Sequence, residues 1–480
     1  MFLNCELTTD NHERSTTHVA RYPESGAEPS STVVISALPN AATAQVAESV
    51  LVDSYSEIAD RIIEAALSDS TAYDRLAELT DLFGHRLSGS QSLEDAIDWI
   101  LVEMEADGLE NVGTQNVLVP HWVRGKETLD IVSPRPRNIP VLGLGGSIGT
   151  PEGGIEAEVL VVSGFDDLAA RSAEAKGKIV LFNVPFTSYG ETVVYRRNGA
   201  PAAAKAGAVA SLIRSVGPYS MQTPHTGSMR YEEDVPKIPH AAITLEDAGY
   251  IQRMSERGIS VSVRLHMSAE TRPDVMSRNV VAEIVGSEFP DEVVVMGGHI
   301  DSWDVGTGAM DDGGGCVATW EALRIIKNLG LRPRRTIRVV LWTNEENGLN
   351  GGRVYRDSVA SNLDNHILAI ESDAGLFKPS GFGFSGSDEA LEIMREVGSL
   401  LAGIGADSIT EGGGGADIGP LMRDGVPGMG LSVDRSRYFW YHHSPADTID
   451  KLDPRDVGLS VATLAVVAFV VADMPERLPR

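Results

Sequence analysis

Hydrophobic positions in the first part of the chain recur every three or four residues. The segments SYSEIADRIIEAAL (54–67) and SLEDAIDWILVEMEADG (92–108) show this spacing, which is typical of amphipathic helices, and Gly108 is a helix-stop signal. The next segment, 111–131, is strand-like. Residues 1–44 are instead rich in Ser, Thr, Pro, Ala and Asn, a composition that predicts a loose leader. We therefore predict that the folded part of the chain begins near residue 45.

The pattern changes in residues 132–154, where proline and glycine are frequent and indicate a boundary. Short β-type runs follow, and they flank an alanine-rich segment, AAAKAGAVASLI (202–213), that we predict as a helix. The runs are IEAEVLVV (155–162), GKIVLFNV (177–184), HAAITL (240–245) and ISVSVRLHM (259–267). We predict that residues 136–272 form a small inserted α+β domain. Residues 45–135 and 273–480 would then form the domain that surrounds it.

After residue 290, buried strand patterns alternate with helical patterns, which predicts an α/β fold with a parallel sheet. Three of these strands lie within 291–304, 334–348 and 365–375, and each is followed directly by ionisable residues. Ligands of open parallel sheets bind outside the carboxyl ends of the strands. We therefore expect these side chains to meet at one edge, together with a later histidine pair. They are His299, Asp301, Asp311, Glu345, Glu346, Asp373, His442 and His443.

These residue types favour a metal site without thiolate ligands. The chain has two cysteines, Cys5 and Cys316, and they fit no zinc-finger or redox spacing. Zinc then prefers histidine nitrogen and carboxylate oxygen. Asp311 lies beside a glycine run, where the backbone can bend sharply, and one carboxylate can bridge two ions. The spacing of Asp301 from His299 suits a carboxylate that orients the imidazole, and the Glu345–Glu346 pair suggests one ligand and one proton acceptor.

Composition narrows the classes of partner. Hydrophobic residues make up 42% and charged residues 22% of the 480 residues, as in ordinary globular proteins. The formal net charge of −28 would repel nucleic acid and anionic membranes, so we expect neither as a partner.

Two segments bear on membranes and targeting. VGLSVATLAVVAFVVADM (457–474) is long enough to cross a membrane, but it contains Ser460 and Thr463, so we predict a buried core helix. The N-terminal sequence lacks a signal peptide and predicts a cytoplasmic protein as written, whereas a different true N-terminus would allow a secreted or periplasmic one.

Over roughly residues 50–480 the sequence resembles the co-catalytic zinc exopeptidases, which include bacterial zinc aminopeptidases and glutamate carboxypeptidases. The glutamate carboxypeptidase branch is the more similar. The motifs that carry the resemblance are GHIDSWDVGTGAMDDGGG, TIRVVLWTNEENG, ESDAG, GVPG, YHHSPADT and VVADMPERLP. The resemblance implies a mixed, largely parallel central sheet flanked by helices. It also implies that the insert is a protease-associated (apical) domain.

The resemblance implies a ligand set for two zinc ions per chain. Asp311 would bridge both ions, His299 and Asp373 would hold one, and Glu346 and His443 would hold the other. His443 is preferred over its neighbour because the family places its histidine four residues before a DT pair.

The resemblance also implies roles beside the metal ligands. Glu345 would be the general base and then the acid that protonates the leaving amine, and Asp301 would support the first zinc site. His442 could donate a hydrogen bond to the oxyanion or be merely structural, and these alternatives stay open. The family often has a cis peptide after the bridging aspartate, here Asp311–Asp312.

The expected function is hydrolysis of unblocked dipeptides and short peptides by a dipeptidase or carboxypeptidase. An aminopeptidase that releases N-terminal residues from longer peptides is the alternative, and a homodimer is expected because relatives tend to form one. A non-catalytic receptor-like binding module would have lost metal ligands, and a single-zinc acyltransferase would lack the full set. Arg435 and Arg437 could contact a substrate carboxylate or simply be exposed, and the glycines at 412–415 could line the pocket or form a turn.

Overall fold

A computed structural model describes residues Val50–Arg480, so the predicted leader at 1–44 lies outside the described residues. The helices, in chain order, are α1 (Val50–Ser68), α2 (Thr71–Phe83), α3 (Gln91–Ala106), α4 (Phe165–Ala170), α5 (Ser172–Ala175), α6 (Tyr189–Lys205), α7 (Leu245–Glu256), α8 (Gly314–Asn328), α9 (Asn350–Ser358), α10 (Asp388–Ser399), α11 (Gly419–Arg423), α12 (Tyr438–Tyr441) and α13 (Pro454–Asp473).

The strands of the described residues form two eight-stranded sheets. In chain order they are β1 (Glu110–Val123), β2 (Glu127–Ser133), β3 (Arg137–Ile139), β4 (Val141–Gly143), β5 (Ile155–Val162), β6 (Ile179–Phe182), β7 (Ala210–Arg214), β8 (His240–Ile243), β9 (Ser262–Met267), β10 (Glu270–Ile284), β11 (Phe289–His299), β12 (Arg335–Trp342), β13 (His366–Glu371), β14 (Pro379–Ser385), β15 (Ser408–Glu411) and β16 (Gly428–Val433).

The first sheet has the order β1-β10-β12-β11-β13-β16-β14-β15. Its centre, from β12 through β16, is parallel, and so is the edge pair β14–β15, while the pairs β1–β10, β10–β12 and β16–β14 are antiparallel. The predicted mixed, largely parallel sheet is therefore confirmed. Its four central parallel strands direct their carboxyl ends to one edge.

Both faces of this sheet are buried, and alternate residues of one strand serve the two faces. In β11, Val294 and Met296 join the large core beneath helices such as α1, α8 and α13, whereas Val293 and Val295 join a smaller core beside α9 and α11. Such double burial explains why the central strands are apolar at nearly every position.

Helix α13 lies inside the large core. It packs against α1 and α8, and 89% of its most apolar stretch is buried within the protein. Thr463 satisfies its hydroxyl by donating to the carbonyl oxygen of Leu459 at 2.8 Å. The prediction of a buried core helix is confirmed.

The second sheet, of order β3-β2-β9-β5-β6-β7-β8-β4, encloses two apolar cores of its own with α4 to α7. The chain passes from β1 to β2 at Gly125, whose φ of +67° and close approach to Ser268 suit glycine alone. The segment 111–131, predicted as one strand-like stretch, is therefore divided into two strands by this turn. The division of the chain into domains at 136–272 stays a prediction.

One predicted helix of this region is wrong in its extent. The segment 202–213 is helical only to Lys205, where α6 ends, and residues 210–214 form β7. Gly207, with φ +82°, ends the helix region, and the apolar residues after it are buried as a strand between β6 and β8. The alanine-rich composition hid this change.

Candidate metal centre

The ionisable residues singled out in the sequence meet at the carboxyl edge of the first sheet. His299 is the last residue of β11, and Asp373 lies two residues beyond β13. Glu345 and Glu346 lie three and four residues beyond the end of β12. Because these three strands are parallel neighbours, their ends deliver the side chains to one place. The expected convergence is therefore what the structure shows.

Asp311 stands between two groups of side chains. Its Oδ1 lies 3.2 Å from His299 Nε2, and its Oδ2 lies 3.3 Å from His443 Nε2. The first group is completed by Asp373, whose Oδ1 is 3.6 Å from His299 Nε2. The second is completed by Glu346, whose Oε2 is 3.0 Å from His443 Nε2. One carboxylate thus serves both groups.

The donor set fits metal cations. Asp311 Oδ2 and Glu346 Oε1 are buried and have no hydrogen-bond partner among the described residues. Potential ligand atoms of His299, Asp311 and Asp373 lie within 4.8 Å of one another, as do those of Asp311, His442 and His443. Buried, unpartnered carboxylate oxygens are costly unless a cation satisfies them.

The histidines respond to this concentration of negative charge. Burial lowers the pKa of His299, but hydrogen bonding to Asp311 and Asp373 outweighs it and holds the pKa well above its usual value. Burial likewise opposes protonation of His443, yet Glu346 and Asp311 raise its pKa to about 10. The positive charge that these carboxylates attract is the property that a metal ion supplies.

Asp301 supports the site differently from the prediction. His299 Nδ1 contacts the main-chain oxygen of Asp301 at 2.8 Å, while the carboxylate of Asp301 stays 3.8 Å away. That carboxylate accepts hydrogen bonds from the main-chain N–H groups of Glu345 at 3.0 Å and Glu346 at 3.3 Å, and from the hydroxyl of Ser88 at 3.2 Å. The Asp301 carboxylate therefore does not bind the imidazole as predicted, because its oxygens accept hydrogen bonds from three donors on other segments.

The backbone around Asp311 is held by a residue that the sequence analysis used only as a spacing marker. Asp447 accepts hydrogen bonds from the main-chain N–H groups of Met310 at 2.7 Å and Asp311 at 3.2 Å. Burial, reinforced by the charge of Asp311, raises the pKa of Asp447 to about 7. The DT pair in YHHSPADT was the available signal, although nothing in it specifies contact with residue 311.

The glycine run after Asp311 allows the chain to pass very close to its surroundings. The Asp311–Asp312 peptide is cis, as the resemblance implies. Asp312 accepts hydrogen bonds from the main-chain N–H groups of His299 at 3.1 Å and Gly315 at 2.9 Å. A Cβ at Gly315 would lie 1.8 Å from the carbonyl oxygen of Ser372, so no larger residue fits.

Arg86 stabilises the loop that leads to Asp311. Its buried guanidinium donates to the carbonyl oxygens of Ile300 at 2.9 Å, Thr307 at 2.7 Å and Gly308 at 2.9 Å. The arginine replaces the water that these carbonyl groups would otherwise need.

The region built on the second sheet contributes to the site by contacting His443, which follows α12. The main-chain N–H of Thr226 donates to the His443 carbonyl oxygen at 2.8 Å, and Arg196 Nη1 lies 3.3 Å from His443 Nδ1. His443 has a φ of +57°, a left-handed conformation that is uncommon outside glycine and is held by such contacts. His442 stacks on His443 with ring centroids 3.6 Å apart and places its Nε2 3.5 Å from Asp311 Oδ2.

Two further groups that line the site, Glu345 and His442, also have shifted pKa values. Burial, together with the charges of Asp373 and Glu346, holds the pKa of Glu345 well above its usual value despite the opposing effect of His299. Burial and the neighbouring His443 hold the pKa of His442 well below its usual value. A neutral His442 can donate one hydrogen bond, and a carboxyl with a raised pKa is suited to exchanging a proton.

A cavity of about 360 Å³ opens above this edge of the sheet. Its polar lining includes Asp311, Glu345, Glu346, Asp373, His442 and His443. Arg435 lines it as well, but Arg437 does not, so the structure separates the two arginines that the sequence analysis paired. The glycines at 412–415 line an adjoining cavity of about 220 Å³, next to Asp373.

The sequence profile described as "Peptidase family M28" matches residues 279–468. Carboxypeptidase Q of Xenopus laevis is 51% identical over 89% of this chain and 92% of its own, and that of Homo sapiens is 50% identical over 88% and 90%. The crystal structure of a peptidase M28 precursor from Shewanella amazonensis SB2B superposes with a TM-score of 0.86 at 37% identity, covering 89% of this chain and 99% of the other. A zinc aminopeptidase from Bacillus subtilis shares the fold, with a TM-score of 0.64 at 21% identity over 84% and 94%.

Proposed function

The chain belongs to peptidase family M28 and is a zinc metallopeptidase, and we propose that its site takes two zinc ions bridged by Asp311. Its similarity to carboxypeptidase Q makes it an exopeptidase with dipeptidase or carboxypeptidase activity. The observation that carries the proposal is the position of Asp311, whose two oxygens face different histidines at 3.2 and 3.3 Å.

In this proposal His299 and Asp373 would hold the first ion, and Glu346 and His443 would hold the second. The unpartnered oxygens of Asp311 and Glu346 support that assignment, since each has room for a further interaction. When bound, zinc polarises the peptide carbonyl and lowers the pKa of water so that hydroxide is available near neutral pH.

The remaining groups manage protons and orientation. Glu345 lines the cavity without being among the proposed ligands, and its main chain is fixed by Asp301. We assign to Glu345 the acceptance of a proton from the attacking water and its delivery to the leaving amine. His442, neutral and buried beside Asp311, is placed to donate a hydrogen bond to the oxyanion.

The region of the second sheet is proposed to be a protease-associated insert that completes the site. Its support is the pair of contacts that Thr226 and Arg196 make with His443. The homodimer and the cytoplasmic location expected from the sequence stay predictions.

The rival functions differ in measurable ways. A receptor-like binding module would lack metal ligands, whereas all five proposed ligands converge here. An aminopeptidase would need the free amino end of its substrate and tolerate a blocked carboxyl end.

The test is hydrolysis of an unblocked dipeptide by the purified chain before chelation, after chelation and after re-addition of zinc. We expect activity that the chelator removes and zinc restores. Two bound zinc ions without hydrolysis would contradict the substrate class, and absence of both metal and hydrolysis would favour the binding module.

A further inference from the structure

Two arginine side chains in the wall of the main cavity have no carboxylate or hydrogen-bond partner among the described residues. Arg197 lies on α6 of the second sheet region, and Arg435 lies in the loop between β16 and α12. Both side chains are exposed to the cavity solvent, and within residues 50–480 neither forms an ion pair within 4.0 Å or donates a side-chain hydrogen bond. Their charges are therefore available to a ligand.

A third arginine of the same wall, Arg196, already has hydrogen-bond partners. Arg196 is buried, and its guanidinium donates to the hydroxyl of Tyr189 at 2.8 Å and to the carbonyl oxygen of Thr226 at 3.3 Å, beside His443. Arg196 thus maintains the site, whereas Arg197 faces the space above it.

The distribution of charge in the cavity distinguishes the two ends of a peptide. Its acidic lining residues are Asp311, Glu345, Glu346 and Asp373, and the proposed function uses all four for metal or for the proton. No other carboxylate among the described lining residues remains for a substrate ammonium group. Two unpaired guanidinium groups, in contrast, remain for a carboxylate.

We propose that Arg197 and Arg435 bind the free α-carboxylate of the peptide substrate, so that the cavity selects the carboxyl end. This inference rests on the proposed function and names the chemical feature of the substrate that the site recognises. Guanidinium groups suit this task because their N–H donors match the two oxygens of a carboxylate.

The surroundings of Arg435 favour such a role. Its guanidinium carbon lies 5.5 Å from the ring centre of Tyr438, a buried residue that also lines the cavity. Arg437, two residues on, instead lies over the ring of Phe377 at 5.3 Å and outside the cavity. Arg435 and Arg437 therefore provide a test position and a matched control in the same loop.

The experiment compares Arg197→Gln, Arg435→Gln and the double variant with two exposed controls, Arg437→Gln and Arg253→Gln, as zinc-loaded full-length chains. The substrates are Ala-Leu, its C-terminal amide, and Ala-Glu with an amidated α-carboxyl. The amidated Ala-Glu has a carboxylate only on its side chain. It therefore distinguishes recognition of an α-carboxylate from recognition of an acidic side chain. Zinc content and thermal midpoint are measured for every variant.

We expect each test variant to lose about 10- to 100-fold in kcat/KM on Ala-Leu, mostly through KM, because a charge-assisted contact is removed from substrate and transition state alike. The loss should disappear with the Ala-Leu amide, and the controls should match the wild type. Zinc content should not change.

A loss below threefold on Ala-Leu would overturn the proposal, as would an equal loss on its amide. A loss of kcat/KM confined to the amidated Ala-Glu would show that the arginines bind an acidic side chain, and this result would also overturn the proposal. If the zinc-loaded wild type cleaves none of the three peptides, the proposed function itself fails, and this inference with it.

Discussion

The carboxylate of Asp301 accepts a hydrogen bond from the main-chain N–H of Glu345 at 3.0 Å, which ties the end of β11 to the turn after β12. The same carboxylate holds the N–H of Glu346 at 3.3 Å. Two neighbouring residues with different proposed roles, proton transfer and metal binding, thus share one support. Asp301 acts through the backbone of the residues that do the chemistry.

Replacing Asp301 by Asn should weaken this support without changing side-chain size. The amide supplies one acceptor oxygen, and its NH₂ group repels the second backbone N–H. We expect kcat/KM on an unblocked dipeptide to fall about 10- to 100-fold, the usual cost of losing a residue that orients metal ligands. A steady-state assay with zinc titration would check this, and unchanged activity together with unchanged zinc affinity would contradict the role.

Glu345→Gln should separate chemistry from metal binding. Because Glu345 is not among the proposed ligands, the variant should keep its zinc. It should lose about 10²- to 10⁴-fold in kcat, since glutamine cannot accept a proton. The measurement is kcat alongside zinc content, and a variant that retains more than a tenth of wild-type turnover would refute the proton-transfer role.

Three of the proposed ligands, His299, Glu346 and Asp373, could be predicted from the sequence because each follows an apolar strand pattern, and parallel strands end at a common edge. Asp311 was indicated by the glycine run beside it. The motif resemblance then added His443 and the division of labour between the two glutamates.

The supporting contacts could not be predicted in the same way. Asp447 binds the backbone of Met310, 137 residues away in sequence, and Arg86 binds carbonyl groups more than 200 residues away. Main-chain N–H and C=O groups carry no sequence signal, so their partners emerge only from the fold. The end of α6 was missed for a local reason, because alanine, the strongest helix former, continues past Gly207 into β7.

A buried ion-pair network away from the site should matter for stability. Glu321, 1% exposed, pairs with Arg75 and accepts from Arg324 Nε at 2.8 Å. Glu321→Gln would remove the carboxylate that two largely buried guanidinium groups share, although Arg75 keeps Asp107 and Arg324 keeps Asp69. We expect the free energy of unfolding to fall by about 2 kcal/mol. Urea unfolding checks this.

The control is Glu392, which pairs with Arg395 on the exposed face of α10. Glu392→Gln should change the free energy of unfolding by about 0.5 kcal/mol or less, because solvent screens the exposed pair. Equal effects of the two substitutions on the free energy of unfolding would show that burial does not determine how much the Glu321 network stabilises the fold.

Acid should destabilise the fold partly through His366. Burial, with the nearby charge of Arg338, lowers its pKa to about 4 from the usual 6.5 or so, while its Nε2 lies 2.9 Å from the hydroxyl of Tyr355. Between these two values the unfolded chain binds the proton and the folded chain does not. The contribution of His366 to the free energy of unfolding is therefore present above about pH 6.5 and is lost as the pH falls towards 4.

Comparison of urea unfolding at pH 7 and pH 5 for the wild type and His366→Gln would test this effect. The variant should show a smaller loss of stability over that interval, by about 1 kcal/mol or more. Parallel losses in both proteins would exclude His366 as a contributor.

If Asp311 bridges two metal ions, its removal should lower the number of zinc ions per chain, which can be counted in the wild type and in Asp311→Ala. Both proteins would be loaded with zinc, dialysed and analysed by inductively coupled plasma mass spectrometry, with Glu345→Gln as the matched control. We expect two zinc ions in the wild type and in Glu345→Gln, and fewer than one in Asp311→Ala. Two zinc ions retained by Asp311→Ala, or one in the wild type, would contradict the bridging role.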